Sequence, residues 1–513
     1  MASFYEVQFV AIVTACVVCF LLERHFLRKN SPATRSTEHN APSSVVSGLS
    51  GQYLWVYAII MGADWLQGPY IYSVYREQHG LSERLVALLF VLGFLTAGIA
   101  APFVGVWADQ HGRKRMCMVF CVTYVITCSL IQFSSLPILF VGRLLGGFST
   151  AILLSTPESW LVASANNLSL SSRDLSAILG RATLVNSVTA AAAGIVSNKL
   201  VERTSFFSST FIASGFFLLL GLVSIAFIWS ENHGAVSTSG VKVFDLKHLS
   251  EAWGIVRADK RLLVLGLTQT VFEGSLYLFV FLWVPFLQES KRSTGPRTAP
   301  LPLGYIFSCF MMSMTMGSIL YTSIVSLSHL DADPSHEPTP SPSETEETEP
   351  LVDGQHHTTD IPSGHQPSRD LHPADPPPRP VLAHERAIAL HAKLSSAVCA
   401  TAALAFLVAV ADAREHVRFF AFCAFEACAG MYYPVQGMLR GRLVSDEHRA
   451  TLSSLFRVPL NVFVTVSLLT GVSSARRFVL SACAGLLLCS AAVTAAVLVR
   501  RTRGPSLASL RTR

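Results

Sequence analysis

Charge is what this sequence has least of: 14% of its 513 residues are Asp, Glu, Lys or Arg, while 51% are hydrophobic and the mean hydropathy is +0.46. Soluble domains carry about a quarter of charged residues, so an ordinary soluble fold is excluded. The apolar runs also lack the period-two alternation of a membrane β-barrel. No glycine-rich phosphate loop, His-Glu-x-x-His pair or nucleophile elbow is present, so no enzymatic activity and no cofactor are expected. The 11 cysteines fall mostly inside apolar runs and imply no disulfide framework. Cys16 and Cys19, although spaced as a C-x-x-C pair, read as small hydrophobes within a helix, and no metal site is expected.

What is there is apolar length. Roughly thirteen stretches are long enough to cross a hydrocarbon core of about 30 Å as helices. The first, residues 4–22, has no basic residue ahead of it and Arg24, Arg28 and Lys29 behind it. That pattern predicts a retained anchor with its N-terminus outside, not a cleavable signal peptide. Twelve core helices follow, from residue 52 onward. With the N-terminus outside, the C-terminus and the connections carrying Arg113, Lys114, Arg115, Lys242, Lys247, Lys260, Arg261, Arg440, Arg442, Arg500, Arg501 and Arg503 are cytoplasmic. The net charge of +6 is therefore a topology signal, and nucleic-acid binding has no support. The sequon Asn167-Leu168-Ser169 falls on the same side and is expected to be unused.

Two connections are long. Residues 230–260, with Trp253 and several lysines, join the sixth and seventh core helices and form the expected linker. Residues 329–384 are rich in Pro, Ser, Thr, Glu, Asp and His, and predict a solvated, acidic cytoplasmic loop with Ser-Pro and Thr-Pro pairs suited to phosphorylation. The expected organisation is an anchor and spacer at 1–51, a six-helix bundle at 52–229, the linker at 230–260, and a second six-helix bundle at 261–513 interrupted by the loop.

Between the second and third core helices stand Gly105, Asp109, Gly112, Arg113, Lys114 and Arg115. Their spacing resembles the GxxxDxxGRKR loop of the major facilitator superfamily. Chemically, Gly105 admits a neighbouring helix, Asp109 offers a charge-assisted bond at a helix end, Gly112 makes the turn and the basic triplet holds the cytoplasmic side. The stretch from Arg143 to Gly147 resembles the superfamily's Arg-x-x-x-Gly pattern. An arginine inside a span costs roughly 3 kcal/mol on insertion scales, so its presence points to a cavity or a partner. The fifth core helix lacks the Gly-Pro signature of drug–proton antiporters, which argues against drug export.

The ionisable residues inside the spans are Asp64, Arg143, Glu158, Arg181, Glu273, Glu426 and Arg457. By resemblance, core helices 1, 4, 7 and 10 line the central cavity, and Asp64, Glu273 and Glu426 lie near the middles of three of them. Ionisable groups at that depth mark solute or ion pathways, and burial and neighbouring arginines move a carboxyl's proton affinity in opposite directions. Coupling to protons is the resulting expectation.

Several stretches are similar to the eukaryotic molybdate-anion transporter family within this superfamily: Ala63 to Tyr70, Gly142 to Thr150 with Glu158, Ser159 and Trp160, Phe272 and Glu273 with Phe279 to Pro285, Phe425 to Pro434, and Phe456 to Asn461. Pro157 and the enlarged loop before the ninth core helix depart from that pattern. The resemblance implies a major facilitator fold of two six-helix bundles plus an N-terminal anchor helix, alternating access, and uptake of molybdate. It makes Arg143 the first choice for an anion contact, with Gln67, Ser149, Thr150, Asn186, Gln269 and Asn461 as hydrogen-bond donors and Arg181, Glu158 and Arg457 with the three deep acids as coupling or gating groups. Each donor equally reads as an interhelical contact. The residues alone leave molybdate, sulfate, a sugar or an amine open, and also a non-transporting sensor or scaffold of the same fold. A monomer in the plasma membrane, with a small anion, protons and lipid as its partners, is expected.

Overall fold

The computed structural model describes residues 4–30, 43–233, 253–254, 256–294, 300–330, 379–444, 449–471 and 475–499. The linker and the acidic loop fall largely outside the described residues. The elements are α1 (Phe4–Asn30), α2 (Ser43–Gln67), α3 (Ile71–Ser73) with a π turn at Val74–Gln78, α4 (Glu83–His111), α5 (Arg113–Leu130), α6 (Leu136–Leu153), α7 (Thr156–Asn167), α8 (Ser172–Thr204), α9 (Ser209–Ile228), α10 (Lys260–Thr294), α11 (Leu303–Leu330), α12 (Arg379–Ala411), α13 (Glu415–Leu443), α14 (Arg449–Gly471) and α15 (Arg476–Thr494), which ends in a π turn at Ala495–Val499. No strand occurs among the described residues.

Ten of the described helices are long and apolar enough to cross a membrane. The others of span length carry charge: α5 opens on Arg113, Lys114 and Arg115, α13 holds Arg418 and Glu426, and α14 holds Arg457. The structure differs from the sequence expectation at two places. First, α2 begins at Ser43, nine residues before residue 52, because backbone hydrogen bonding continues through Gly48 and Gly51 where hydropathy falls. Second, the expected fourth core helix is broken. Pro157 has no N–H to give to the carbonyl of Leu153, so α6 stops there and α7 restarts with Pro157 in its first turn.

The helices α2 and α4 to α9 pack among themselves, and α10 to α15 do the same. The groups meet most broadly where α8 packs on α11 and α4 on α14. In the first group α4 and α6 touch closely: a Cβ on Gly147 would lie 2.5 Å from the Gly93 carbonyl oxygen. The anchor α1 lies on the second group. Its Cys16 thiol donates to the Met312 carbonyl at 3.2 Å, its Tyr5 hydroxyl donates to Glu415, and Phe4 packs against Phe419 and Phe420. The outer surface is apolar, with Val10, Ile99, Phe216 and Phe227 exposed, as lipid contact requires.

Candidate functional site

A cavity of roughly 310 Å³ opens among α2, α4, α5 and α6, closed by Val280 from α10. Its polar lining includes Asp64, Gln67, Tyr75, Tyr124, Arg143 and Thr150, set among Trp65, Phe90, Phe94 and Phe211. The Tyr124 hydroxyl donates to Asp64 Oδ1 at 2.6 Å. Across the cavity lining, Arg143 Nε donates to the Leu89 carbonyl at 3.1 Å, its guanidinium lies 5.5 Å from the centre of the Phe90 ring, and the Tyr75 hydroxyl lies beside it. Gly93 makes this possible, since a Cβ there would collide with the guanidinium. Arg143 has no ion pair among the described residues. Nη1 and Nη2 therefore have no carboxylate to neutralise them, and a fork of that kind binds an oxyanion two bonds at a time.

The second group holds its own acids. Glu273 on α10 accepts from Tyr432 at 3.3 Å and from Gln269 at 3.4 Å, and the positive charges of Arg440 and Arg457 act on it. Glu426 on α13 is 4% exposed, with no ion pair among the described residues.

Other expected site residues land elsewhere. Ser149 is fully buried, hydrogen-bonded to Thr123 at 2.8 Å and to the Leu145 carbonyl, and does not line the cavity. Adjacent helical positions are about 100° apart, so Thr150 faces the cavity and Ser149 faces α5. Asn186 accepts from Trp65 Nε1 at 2.8 Å and acts on the cavity only through that ring. Gln67 lines the cavity but gives its Nε2 to Ser214 at 2.8 Å. Asn461 packs where α14 meets Gly98 of α4. Glu158 and Arg181 are exposed and outside the cavity; Arg181 reaches Ser50 at 3.4 Å. Sequence reasoning missed Tyr75, Tyr124 and the role of Arg440, because tyrosines in apolar helices and an arginine in a basic helix end carry no signal of their own.

The loop from Gly105 to Arg115 is a tight, internally bonded turn. Asp109 and Arg113 pair at 2.6 Å, and Gly112 adopts φ = 102°, a conformation open mainly to glycine. Glu231, just beyond α9, caps α5 by accepting from the backbone N–H groups of Lys114 at 2.9 Å and Arg115 at 3.2 Å. Lys114 Nζ in turn donates to the Ala226 carbonyl at 2.7 Å. Behind the turn, Trp229 stacks on Trp160 with centroids 4.0 Å apart.

The opposite face is bolted between the two helix groups. Arg476 pairs with Glu83 at 2.6 Å, Gln288 donates to Glu77 at 2.9 Å, and Tyr72 packs edge-on against Phe281. Deeper in, Phe94 and Tyr277 stack in parallel at 4.8 Å. The described hydrogen bonds and ion pairs that join the groups lie toward this face, including Ser308 to the Ala191 carbonyl at 2.7 Å.

The many apolar spans packed around a charged cavity, together with the family match, are those of a membrane transporter of the major facilitator superfamily. The solved structures agree on the fold. A peptide transporter of the POT family superposes with a TM-score of 0.61 at 12% identity, covering 90% of this chain and 95% of that one. The nucleoside transporter NupG superposes with a TM-score of 0.59 at 11% identity, covering 88% and 99%. More particularly, the chain belongs to the family described as sugar transporters with 12 transmembrane segments, whose model matches residues 9–331. Among curated relatives, the molybdate-anion transporter of Takifugu rubripes is 27% identical over 486 residues, 91% of this chain and 87% of that protein. The molybdate-anion transporter of Danio rerio is 26% identical over 542 residues, 99% and 98%.

Proposed function

We propose that this protein takes up molybdate by alternating access, with the cavity around Arg143 as the anion site and with protons as the coupling ion. The observation that carries this reading is the unpaired Arg143 fork facing a cavity of roughly 310 Å³, at the small end of solute sites. A sugar would leave that cationic fork without a countercharge; an oxyanion fills it. The relatives named molybdate-anion transporters support the choice of anion. Asp64, held by Tyr124 in the same cavity, repels a dianion unless protonated, which makes a proton the natural companion of the solute.

In this reading the two helix groups are the moving halves, and the bolted face is the outer one. The Gly105 to Arg115 turn, the C-terminus and residues 329–384 are cytoplasmic, and the plasma membrane is the site of action. The test is uptake of labelled molybdate by cells expressing wild type or Arg143→Ala, with unlabelled sulfate as competitor. Wild type should accumulate label and the variant should match untransfected cells; equal uptake by the two would remove Arg143 from the site.

A further inference from the structure

The cavity around Arg143 has many polar side chains in its lining, yet it offers a tetrahedral anion few donors. Trp65 Nε1 donates to Asn186 at 2.8 Å, and the Gln67 amide donates to Ser214 at 2.8 Å and to Cys128 Sγ at 3.5 Å. The Tyr124 hydroxyl donates to Asp64 at 2.6 Å, Thr127 to the Thr123 carbonyl at 3.0 Å, and Thr150 to the Gly146 carbonyl at 2.9 Å. Arg143 Nε is taken by the Leu89 carbonyl. Among the described residues, the side-chain donors of the lining left to a solute are the Nη atoms of Arg143 and the hydroxyl of Tyr75.

The same cavity holds an acceptor with capacity to spare. Asp64 is half-buried, its Oδ1 accepts from Tyr124, and its Oδ2 makes no hydrogen bond among the described residues. Asp64 and Arg143 line one cavity without forming an ion pair, so a solute has room between them. An ionised carboxylate only accepts hydrogen bonds, and so do the oxygens of a bare oxyanion, so the two repel. One proton between them turns the repulsion into a charge-assisted O–H···O bond. Without it a dianion and Asp64 set three negative charges against the one positive charge of Arg143; with it they set two.

We propose that Asp64 is the specificity filter of this site: it admits a tetrahedral oxyanion basic enough to share a proton with its Oδ2 while Arg143 holds the anion's other oxygens, and it turns away oxyanions too weakly basic to do so. The inference rests on the anion-transport reading. The proton enters from the bath with the anion, is held in the bond between Asp64 Oδ2 and one anion oxygen, and leaves with the anion, so the protein keeps no proton after a turnover. Molybdate is a stronger base than sulfate. Asp64 therefore separates two dianions of the same shape and charge by basicity, where a donor-rich site would bind both.

The titratable groups that line the cavity with Asp64 are Tyr124 on α5, Arg143 on α6 and Tyr75 in the π turn, and Cys128 lies behind Gln67. Neither α4 nor α10 brings an ionisable side chain to the lining, α9 has none at all, and Arg181 of α8 and Glu158 of α7 stand outside it. Arginine stays cationic and tyrosine neutral near neutral pH, so the proton is shared between Asp64 and the anion, and uptake should rise as pH falls.

The experiment is uptake of labelled molybdate by the full chain in proteoliposomes, with unlabelled oxyanions as competitors. Selenate and arsenate are tetrahedra of nearly equal size, and arsenate is much the stronger base. Arsenate should half-inhibit wild type at a concentration at least about tenfold below that of selenate; equal inhibition by the two overturns the filter. Asp64→Asn replaces the acceptor with an amide that donates to a bare dianion. In that variant half-inhibition by sulfate should fall at least about tenfold in concentration relative to wild type, and the ratio of rates at about pH 6 and about pH 8 should approach one. A variant that is merely slower, with sulfate inhibition and the pH ratio of wild type, overturns the proposal, because a structural role for Asp64 moves neither. Should Asp64→Asn fail to insert or to move molybdate, the comparison of arsenate with selenate in wild type decides the matter alone. A wild type that moves no molybdate at all overturns the parent reading instead.

Discussion

At the scale of single residues, the cavity is a balance between one acid and one base held apart by aromatic hydroxyls. Tyr124 keeps Asp64 oriented, and Phe90 and the Leu89 carbonyl keep Arg143 turned inward. Arg143→Lys preserves the charge but removes the planar fork, so KM for the oxyanion should rise about tenfold with little change in expression. A KM equal to wild type in a concentration series of uptake would show that charge alone suffices there. Tyr124→Phe removes the bond to Asp64 and should lower maximal rate more than it changes KM, by about threefold to tenfold. Arg143 and Asp64 were legible in the sequence because a charge inside a span is costly. Their hydroxyl partners were not, since Tyr75 and Tyr124 reach the cavity only through packing of α3, α5 and α6. Arg440 was legible only as a topology signal, because it sits among basic residues at a helix end.

At the scale of elements, apolar length fixed most helices, and what it missed is local chemistry. The break between α6 and α7 is written in Pro157, whose absent N–H ends the preceding helix at Leu153. The cap on α5 is not written anywhere nearby, since Glu231 arrives from beyond α9, over a hundred residues downstream. Glu231→Ala should cost about 1 kcal/mol, and Gly112→Ala more, because its Cβ would meet the Glu231 carboxyl carbon at 2.5 Å as well as adopting φ = 102°. Thermal unfolding of the purified protein in detergent checks the order: wild type above Glu231→Ala above Gly112→Ala. A Gly112→Ala protein as stable as wild type would mean that the turn is free to relax.

At the scale of the whole molecule, the contacts are uneven between the two faces. Glu83 with Arg476 and Glu77 with Gln288 tie the helix groups together on one side, while the motif turn on the other is bonded within its own group. Such an arrangement suits a transporter halted with one face shut. Cysteines at positions 77 and 288 joined by a short bifunctional maleimide should therefore arrest uptake, whereas either cysteine alone with the same reagent should not. Continued uptake after complete cross-linking would mean that this face never opens.

In the proposed mechanism this chain by itself moves an oxyanion through the Arg143 cavity in company with protons. Its most direct test is accumulation of labelled molybdate by purified protein in liposomes whose interior is made alkaline relative to the bath. Accumulation above the external concentration, collapsing when a protonophore removes the pH gradient and absent in Arg143→Ala, is the predicted result; label no higher than in empty liposomes, with or without the gradient, would contradict it.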